Sequence, residues 1–393
     1  MQTTLRHANL SDLMSMLTDQ GARQLDVVAT SRSMRMEHTK LRLYGTEAEL
    51  TDDGVIPTEG VYTPTSVFDD GVSSKLDIPR AYLRRLRENR PDIYDATVNM
   101  WLHGSTDYAP DARKFMLRLF RGEGEDGIAR AMMSSRYGII DNFDILSAVL
   151  DGVRAAGVRV EIPTGGCDLT DRRMYVRITA PQVRAYAPDL FKGYRSPFEG
   201  PNSGRWLPPS MFDDVGDGGT GLVFAGLAVR NSEVGFSRFT IAPVAILQTC
   251  GNGMTITGDA IKAQHVGVDQ DEGVVKWTAD TERKQLELVK AKARDAVATF
   301  LDSDYITAKL DEIREQASTK IKDVPTTIET LGKKMNYSDA ERASILEHFI
   351  AGGQQTAGGL LNAITSTAQV VTDADEANRL EESALEALAF VGR

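Results

Sequence analysis

Cysteine is scarce: Cys167 and Cys250 are the only two in 393 residues. A disulfide-stapled secreted scaffold is thereby excluded, and reduced thiols in a cytosolic protein are expected. Histidine is sparse too, with His7, His38, His103, His265 and His348 scattered and none at metal-ligand spacing from another His or Cys, so no zinc site is expected. No apolar run approaches the roughly 20 residues that span a bilayer. The N-terminal MQTTLRHANLSDLM carries no signal-peptide pattern, so neither export nor membrane insertion is expected.

Nucleotide-binding signatures are missing as well. There is no G-x-x-x-x-G-K-[ST], which argues against an autonomous NTPase. GDGGTG at 216 to 221 matches G-x-G-x-x-G in letters, but a strand-like run follows it where the dinucleotide fingerprint needs a helix. The acidic pairs Asp52-Asp53, Asp69-Asp70 and Asp213-Asp214 are read as solvated turn residues, with a Mg²⁺-dependent nuclease as a remote alternative. Cys250, in Cys-Gly-Asn-Gly, has no nearby His to activate a thiolate. No catalytic residue, metal or cofactor is therefore assigned.

Net positive charge is lacking overall, at a formal −11, yet its distribution is uneven. Residues 1 to 250 carry 29 basic and 32 acidic side chains, against 16 and 24 in residues 251 to 393. The acidity concentrates in the C-terminal third and leaves room for local basic surfaces upstream.

What is present is a change of hydrophobic period. Up to about residue 125, short strand-like runs such as KLRLYG mix with one helix, IPRAYLRRLRENRP, framed by Pro79 and Pro91. Leu83 and Leu86 point inward there, and Arg80, Arg84 and Arg87 form an exposed basic stripe or a plain solvated face. A helix capped by Asp141 or Asn142 follows, with Arg136 and Tyr137 just before it, placed to hold a phosphate and stack a base or to pack at an edge.

The period then becomes two. VRVEI (158 to 162) and RMYVRIT (173 to 179) put Val and Ile inside, leaving Arg159, Arg173, Tyr175 and Arg177 outside. Residues 181 to 220 read as a long loop whose Tyr194, Arg195, Arg205 and Trp206 can clasp a strand or a subunit. GLVFAGLAV and FSRFTIAPV form a hairpin about Asn231 to Gly235, with Arg230 and Arg238 on its outer side. A buried Glu233 would need Arg230 or Arg238 as partner. After residue 277 the pattern is helical: one long helix or a bent pair to about 316, then helices at 338 to 350, 356 to 371 and 374 to 390.

The expected class is α+β, an antiparallel β-meander packed against helices with a largely helical C-terminal region. Three units are expected: 1–125 with the basic helix, 126–260 as the β core with the 181–220 loop, and 261–393 as the helical region.

The stretches LDIPRAYLRRLRENRPDIYDATVNMWL, SSRYGIIDNFDIL, VRNSEVGFSRFTI followed by CGNGM, and TAGGLLNAITSTAQ before LEESALEAL resemble a family of phage and plasmid-like proteins. That family is known by a domain of unknown function, the DUF nine-three-two family. The resemblance implies a phage, prophage or plasmid gene, and hence the cytoplasm of a bacterial host cell, and carries no settled activity. One departure is SVFDDGVSSK, which lacks the His and Gln expected of the family in that segment.

The leading functional expectation is a non-enzymatic, oligomeric protein that binds and anneals single-stranded DNA, similar in logic to the RecT and Red-beta proteins. Its arginines would track phosphates, and Tyr137, Tyr175 or Trp206 would stack bases. The alternative is a homo-oligomeric structural or interaction protein without nucleic acid.

Overall fold

Segments with a period of two pair into two seven-stranded sheets, and those with helical periodicity form eleven α-helices among the described residues. The α+β class expected from the sequence is what the chain adopts. The computed structural model describes residues 2–46, 49–51, 54–122, 124–187, 190, 194–195, 222–247, 253–263, 273–274 and 279–392.

β1 (Leu5–Ala8) belongs to the second sheet, described below. The first sheet holds β2 (Gln24–Thr30), β3 (Met34–Glu37), β4 (Lys40–Leu43), β7 (Gly60–Pro64), β8 (Lys114–Phe120), β9 (Gly127–Ser134) and β16 (Gly273–Val274). Its order is β16-β2-β8-β9-β7-β4-β3, and β5 (Glu49–Thr51) pairs with β6 (Gly54–Ile56) as a separate hairpin. Helices α2 (Ser66–Leu76), α3 (Arg80–Asn89) and α4 (Pro91–His103) pack on it, with Phe68, Val72, Leu83, Leu86 and Tyr94 against strand residues such as Leu41 and Leu117. Leu83 and Leu86 thus point inward as expected. Pro91 opens α4 at its first turn, where its missing N–H costs nothing.

The second sheet is the expected antiparallel meander. β10 (Cys167–Leu169), β11 (Met174–Tyr186), β12 (Leu222–Asn231), β13 (Phe239–Leu247) and β14 (Gly253–Thr255) follow one another, with β1 beyond β10 and β15 (Ile261–Ala263) also on β13. VRVEI is no strand: only Glu161 bridges to Thr179. β11 runs on to Tyr186, past the expected start of the loop at 181, and absorbs Pro181 through a register shift between Ala180 and Arg184. Pro181 has no N–H for the ladder, so an irregularity is the way a strand keeps it.

Helices α1 (Leu10–Arg23), α5 (Asn142–Ala155) and α6 (Ala279–Phe300) bury Leu13, Leu17, Leu146, Val149, Val153 and Val297 in the same core as Val176 and Ile178 of β11. At Gly152 a Cβ would stand 2.4 Å from the carbonyl oxygen of Lys290, so α5 and α6 approach as only glycine permits. α6 and α7 (Ser303–Ala317) are two helices, so of the two alternatives expected after residue 277, one long helix or a bent pair, the chain adopts the pair. α8 (Val324–Met335) is a helix that the sequence reading did not place. α9 (Asp339–Gly352), α10 (Ala357–Val370) and α11 (Ala374–Val391) match the three expected C-terminal helices, and α10 is buried from Ala357 through Gln369.

The expected boundary at residue 125 is not where the sheets divide. It separates β8 from β9, which are hydrogen-bonded neighbours, while β1 and β16 cross to the sheet of the other unit. Hydrogen-bond partners far apart in the chain decide sheet membership, and composition does not report them. Among the described residues no helix is long and apolar enough to cross a membrane.

Candidate nucleic-acid interface

The turn between β12 and β13 docks onto the first sheet. Val234 enters an apolar cluster with Val28, Val67, Met116, Ala131 and Met133, against which Tyr137 and Phe236 pack. Gly235 takes φ +84°, a conformation that favours glycine, and so lets the turn reverse over Tyr137. The Tyr137 hydroxyl donates to the Ser232 carbonyl at 3.1 Å, and Ser232 Oγ donates to the Arg172 carbonyl at 2.7 Å. The stretch therefore fastens the two sheets to each other as well as closing a hairpin.

Beside this turn lies an arginine cluster. Asp69 and Asp70 are buried on α2, contrary to the expectation of solvated turn residues, because the helix carries them into the seam. Arg80 Nε and Arg84 Nη2 reach Asp70 Oδ1 at 3.1 and 2.8 Å, and Arg172 Nη2 reaches its Oδ2 at 3.3 Å. Arg87 pairs with Asp69 at 2.5 Å, and the Tyr94 hydroxyl donates to the same carboxylate at 2.6 Å. Arg172 also stacks on Phe236, 5.3 Å from the ring centre. Arg173 contacts Asp375 at 3.2 Å and donates to the Phe236 carbonyl, and Tyr175 donates to Asp375 at 2.8 Å.

Five guanidinium groups, Arg80, Arg84, Arg87, Arg172 and Arg173, thus meet three carboxylates, Asp69, Asp70 and Asp375. The arginine side chains remain accessible, at 55% for Arg80, 44% for Arg84 and 29% for Arg172. Such a cluster offers N–H donors in fixed directions with an excess of positive charge, which suits phosphate oxygens. Arg136 and Arg238 are exposed in the segments flanking Tyr137 and Phe236.

Other arginines proposed from the strand pattern are elsewhere. Tyr175 and Arg177 are buried rather than facing outward, because α11 lies on that face of the sheet. Arg177 pairs with Glu381, and Arg230 with Glu382. Arg159 is 79% exposed but sits away from the turn, paired with Glu161 beside an open groove of about 680 Å³. Arg195 is exposed and its backbone N–H donates to Gly352, while Tyr194 is buried against that glycine. Arg205, Trp206, Cys250, GDGGTG and the pairs Asp52-Asp53 and Asp213-Asp214 lie outside the described residues. Arg172 was missed, although its neighbour Arg173 was singled out. Period two assigns alternate residues of a strand, whereas Arg172 stands in the turn before β11.

A second charged group underlies the same turn. Glu233 is buried with neither Arg230 nor Arg238 as partner; its Oε2 accepts from Arg130 at 2.7 Å and its Oε1 from the Asn142 N–H at 2.6 Å. Register explains this: Arg230 pairs across to Thr240 on the face under α11, and the turn beyond swings Glu233 onto β9. Arg118, fully buried on β8, contacts Asp141, stands 3.6 Å from Asp26 and donates to the Glu233 carbonyl. Burial would raise the Glu233 carboxyl, but Arg118, Arg130 and the Asn142 N–H hold it down to about 2. Burial pushes the Asp26 carboxyl up to about 6 despite Arg118. Asp141 is the N-cap of α5 by position, but its carboxylate faces Arg118, and it is Glu233 Oε1 that accepts from the Asn142 N–H at the start of the helix.

Cys167 is buried on β10, and burial pushes its thiol up to about 12, which makes it inert as a nucleophile at neutral pH. Among the described residues no group of three or more His, Cys, Asp or Glu is placed to hold a metal ion. In comparisons with known proteins, no family model matches the chain, and no curated protein and no solved structure matches it either.

Proposed function

We propose that this protein binds an extended anionic strand, single-stranded DNA, without reading sequence and without a cofactor, as an oligomer that presents the strand for annealing. The observation that carries this reading is the convergence of Arg80, Arg84 and Arg172 on one buried carboxylate, Asp70. Asp70 orients the three guanidinium groups while neutralising only one charge, so N–H donors remain for phosphate. Three such contacts would give a salt slope of about 2 on a single strand, too little for tight binding by one subunit. An array of subunits would add these weak contacts along one strand, which is why the oligomer belongs to the same reading. The strand faces of Arg177 and Arg230 have no part in it, since α11 covers them.

The test is fluorescence anisotropy of a labelled single strand at two salt concentrations, with duplex as control. Arg80→Gln with Arg84→Gln leaves Arg172 to pair Asp70 and should weaken binding at least tenfold at low salt. Arg159→Gln should leave it unchanged. Equal affinity in the folded double variant would sink the assignment.

A second reading is a homo-oligomeric interaction protein that binds no nucleic acid. It is favoured by Met100, Trp101 and Tyr108, which are 56%, 50% and 75% exposed at the end of α4 and in the loop that follows. Self-association with no anisotropy change would support it, and a monomer in light scattering would count against both readings.

A further inference from the structure

Contacts to phosphate fix a strand in place but do not by themselves tell a single strand from a duplex, since both present the same backbone chemistry. We infer that Arg172, lying over Phe236, is a stacking platform for one unpaired base of the bound strand. The inference rests on the strand-binding reading above and adds to it the source of a preference for single strands.

Three observations carry it. First, Arg172 is held differently from Arg80 and Arg84. Both ends of its guanidinium face carboxylates, with Nη2 3.3 Å from Asp70 Oδ2 and Nη1 3.9 Å from Asp375 Oδ2. Phe236 covers one side, its ring centre 5.3 Å from the guanidinium carbon. Yet 29% of the Arg172 side chain is accessible, so what the group still offers is the side turned away from Phe236. A guanidinium plane presented in this way accepts the flat face of a base, and an unpaired base has such a face to give.

Secondly, one buried hydroxyl positions both halves of the platform. Ser232 Oγ donates to the Arg172 carbonyl at 2.7 Å and accepts the Phe236 N–H at 2.9 Å. The Phe236 carbonyl accepts from Arg173 Nη2 at 3.2 Å, and the Arg172 N–H donates to Thr170 Oγ1 at 3.1 Å. A platform already in place loses little conformational freedom when a base arrives. Thirdly, positive charge adjoins it. Arg80 and Arg84 share Asp70 with Arg172, and Arg238, two residues beyond Phe236, is exposed. A stacked nucleotide therefore brings its own phosphate to a basic surface. In a duplex the faces of the bases are taken by their neighbours, and only the phosphate contacts remain.

Fluorescence anisotropy at low salt, with a labelled oligothymidylate and an abasic strand of the same length and phosphate number, tests the inference. The wild type is expected to bind the base-bearing strand roughly tenfold more tightly, or better. Arg172→Lys keeps the charge but loses the planar face, and should bring the two affinities close together. Phe236→Leu, which keeps an apolar side chain at the seam while removing the ring beneath Arg172, should do likewise, with a thermal melt confirming that both variants fold. Arg159→Gln should retain the wild-type preference. Equal binding of the two strands by the wild type would overturn the platform and leave phosphate binding standing, as would a full preference in folded Arg172→Lys. Binding of neither strand would overturn the strand-binding reading and this inference together.

Discussion

Arg177 on β11 and Glu381 on α11 form an ion pair in which both side chains are buried, and Asn378 Oδ1 accepts a second bond from Arg177 at 3.1 Å. The pair fastens the C-terminal helix to the sheet some two hundred residues earlier in the chain. Burial raises the Glu381 carboxyl, with Arg177 opposing. Breaking such a pair is costly because the remaining partner is left buried and unpaired.

Arg177→Ala should therefore destabilise the fold by roughly 3–5 kcal/mol, measured by urea unfolding. Arg177→Met combined with Glu381→Leu should cost less than either single replacement, since no lone charge is then buried. A double variant as unstable as the singles would mean that the pair adds net stability in itself.

Asp26 predicts a pH dependence of unusual sign. Its folded value of about 6 lies above its ordinary 3.8, so between these two values the folded state binds the proton more tightly than the unfolded state. Stability from this group is present at low pH and is lost as pH rises through that window, by roughly 3 kcal/mol in all. The stability difference between wild type and Asp26→Asn should carry this slope from pH 4 to 6 and flatten above it.

Glu233 predicts the opposite. Its folded value of about 2 lies below its ordinary 4.5, so its contribution is present above pH 4.5 and disappears as pH falls toward 2. Glu233→Gln should lower stability at pH 7 by roughly 3 kcal/mol, with the deficit closing in acid. Glutamine keeps one acceptor oxygen where Glu233 offers two, whereas Glu233→Ala removes the acceptors of both Arg130 and the Asn142 N–H, so protection of the Asn142 amide in hydrogen exchange should fall in that variant.

Asp70→Asn separates stability from strand binding. It removes the carboxylate that three arginines share, so the thermal midpoint should fall. Under the proposed function the freed positive charge should at the same time raise affinity for single-stranded DNA and steepen its salt dependence. A fall in both quantities would mean that the orientation Asp70 gives the arginines outweighs the charge it cancels.

Local elements were largely legible in the chain. The α3 helix with Leu83 and Leu86 inward, the β12–β13 hairpin, the bent pair α6 and α7, and α9 to α11 all follow from hydrophobic period and capping residues. Errors arose where period was read as exposure. Alternation in RMYVRIT correctly separated Met174, Val176 and Ile178 from Arg173, Tyr175 and Arg177, but a polar face is not a solvated face when a helix supplies its partners. A signal existed: Asp375, Asn378 and Glu382 recur at helical spacing on α11, a polar stripe able to cover an arginine-bearing sheet.

By itself the sequence determined most helices and the β12–β13 hairpin, α8 and the VRVEI segment excepted, and the apolar face of β11, because these depend on side-chain period and on neighbours within a few residues. It also determined that the acidity lies in the C-terminal third. Only the tertiary structure decided where that acidity is spent: on Arg173, Arg177 and Arg230 through α11, while Arg80, Arg84 and Arg172 share Asp70 at the seam. Charge pairing acts through space over a few ångströms, and residues 172 and 80, or 177 and 381, become neighbours only when two sheets and a distant helix close on each other.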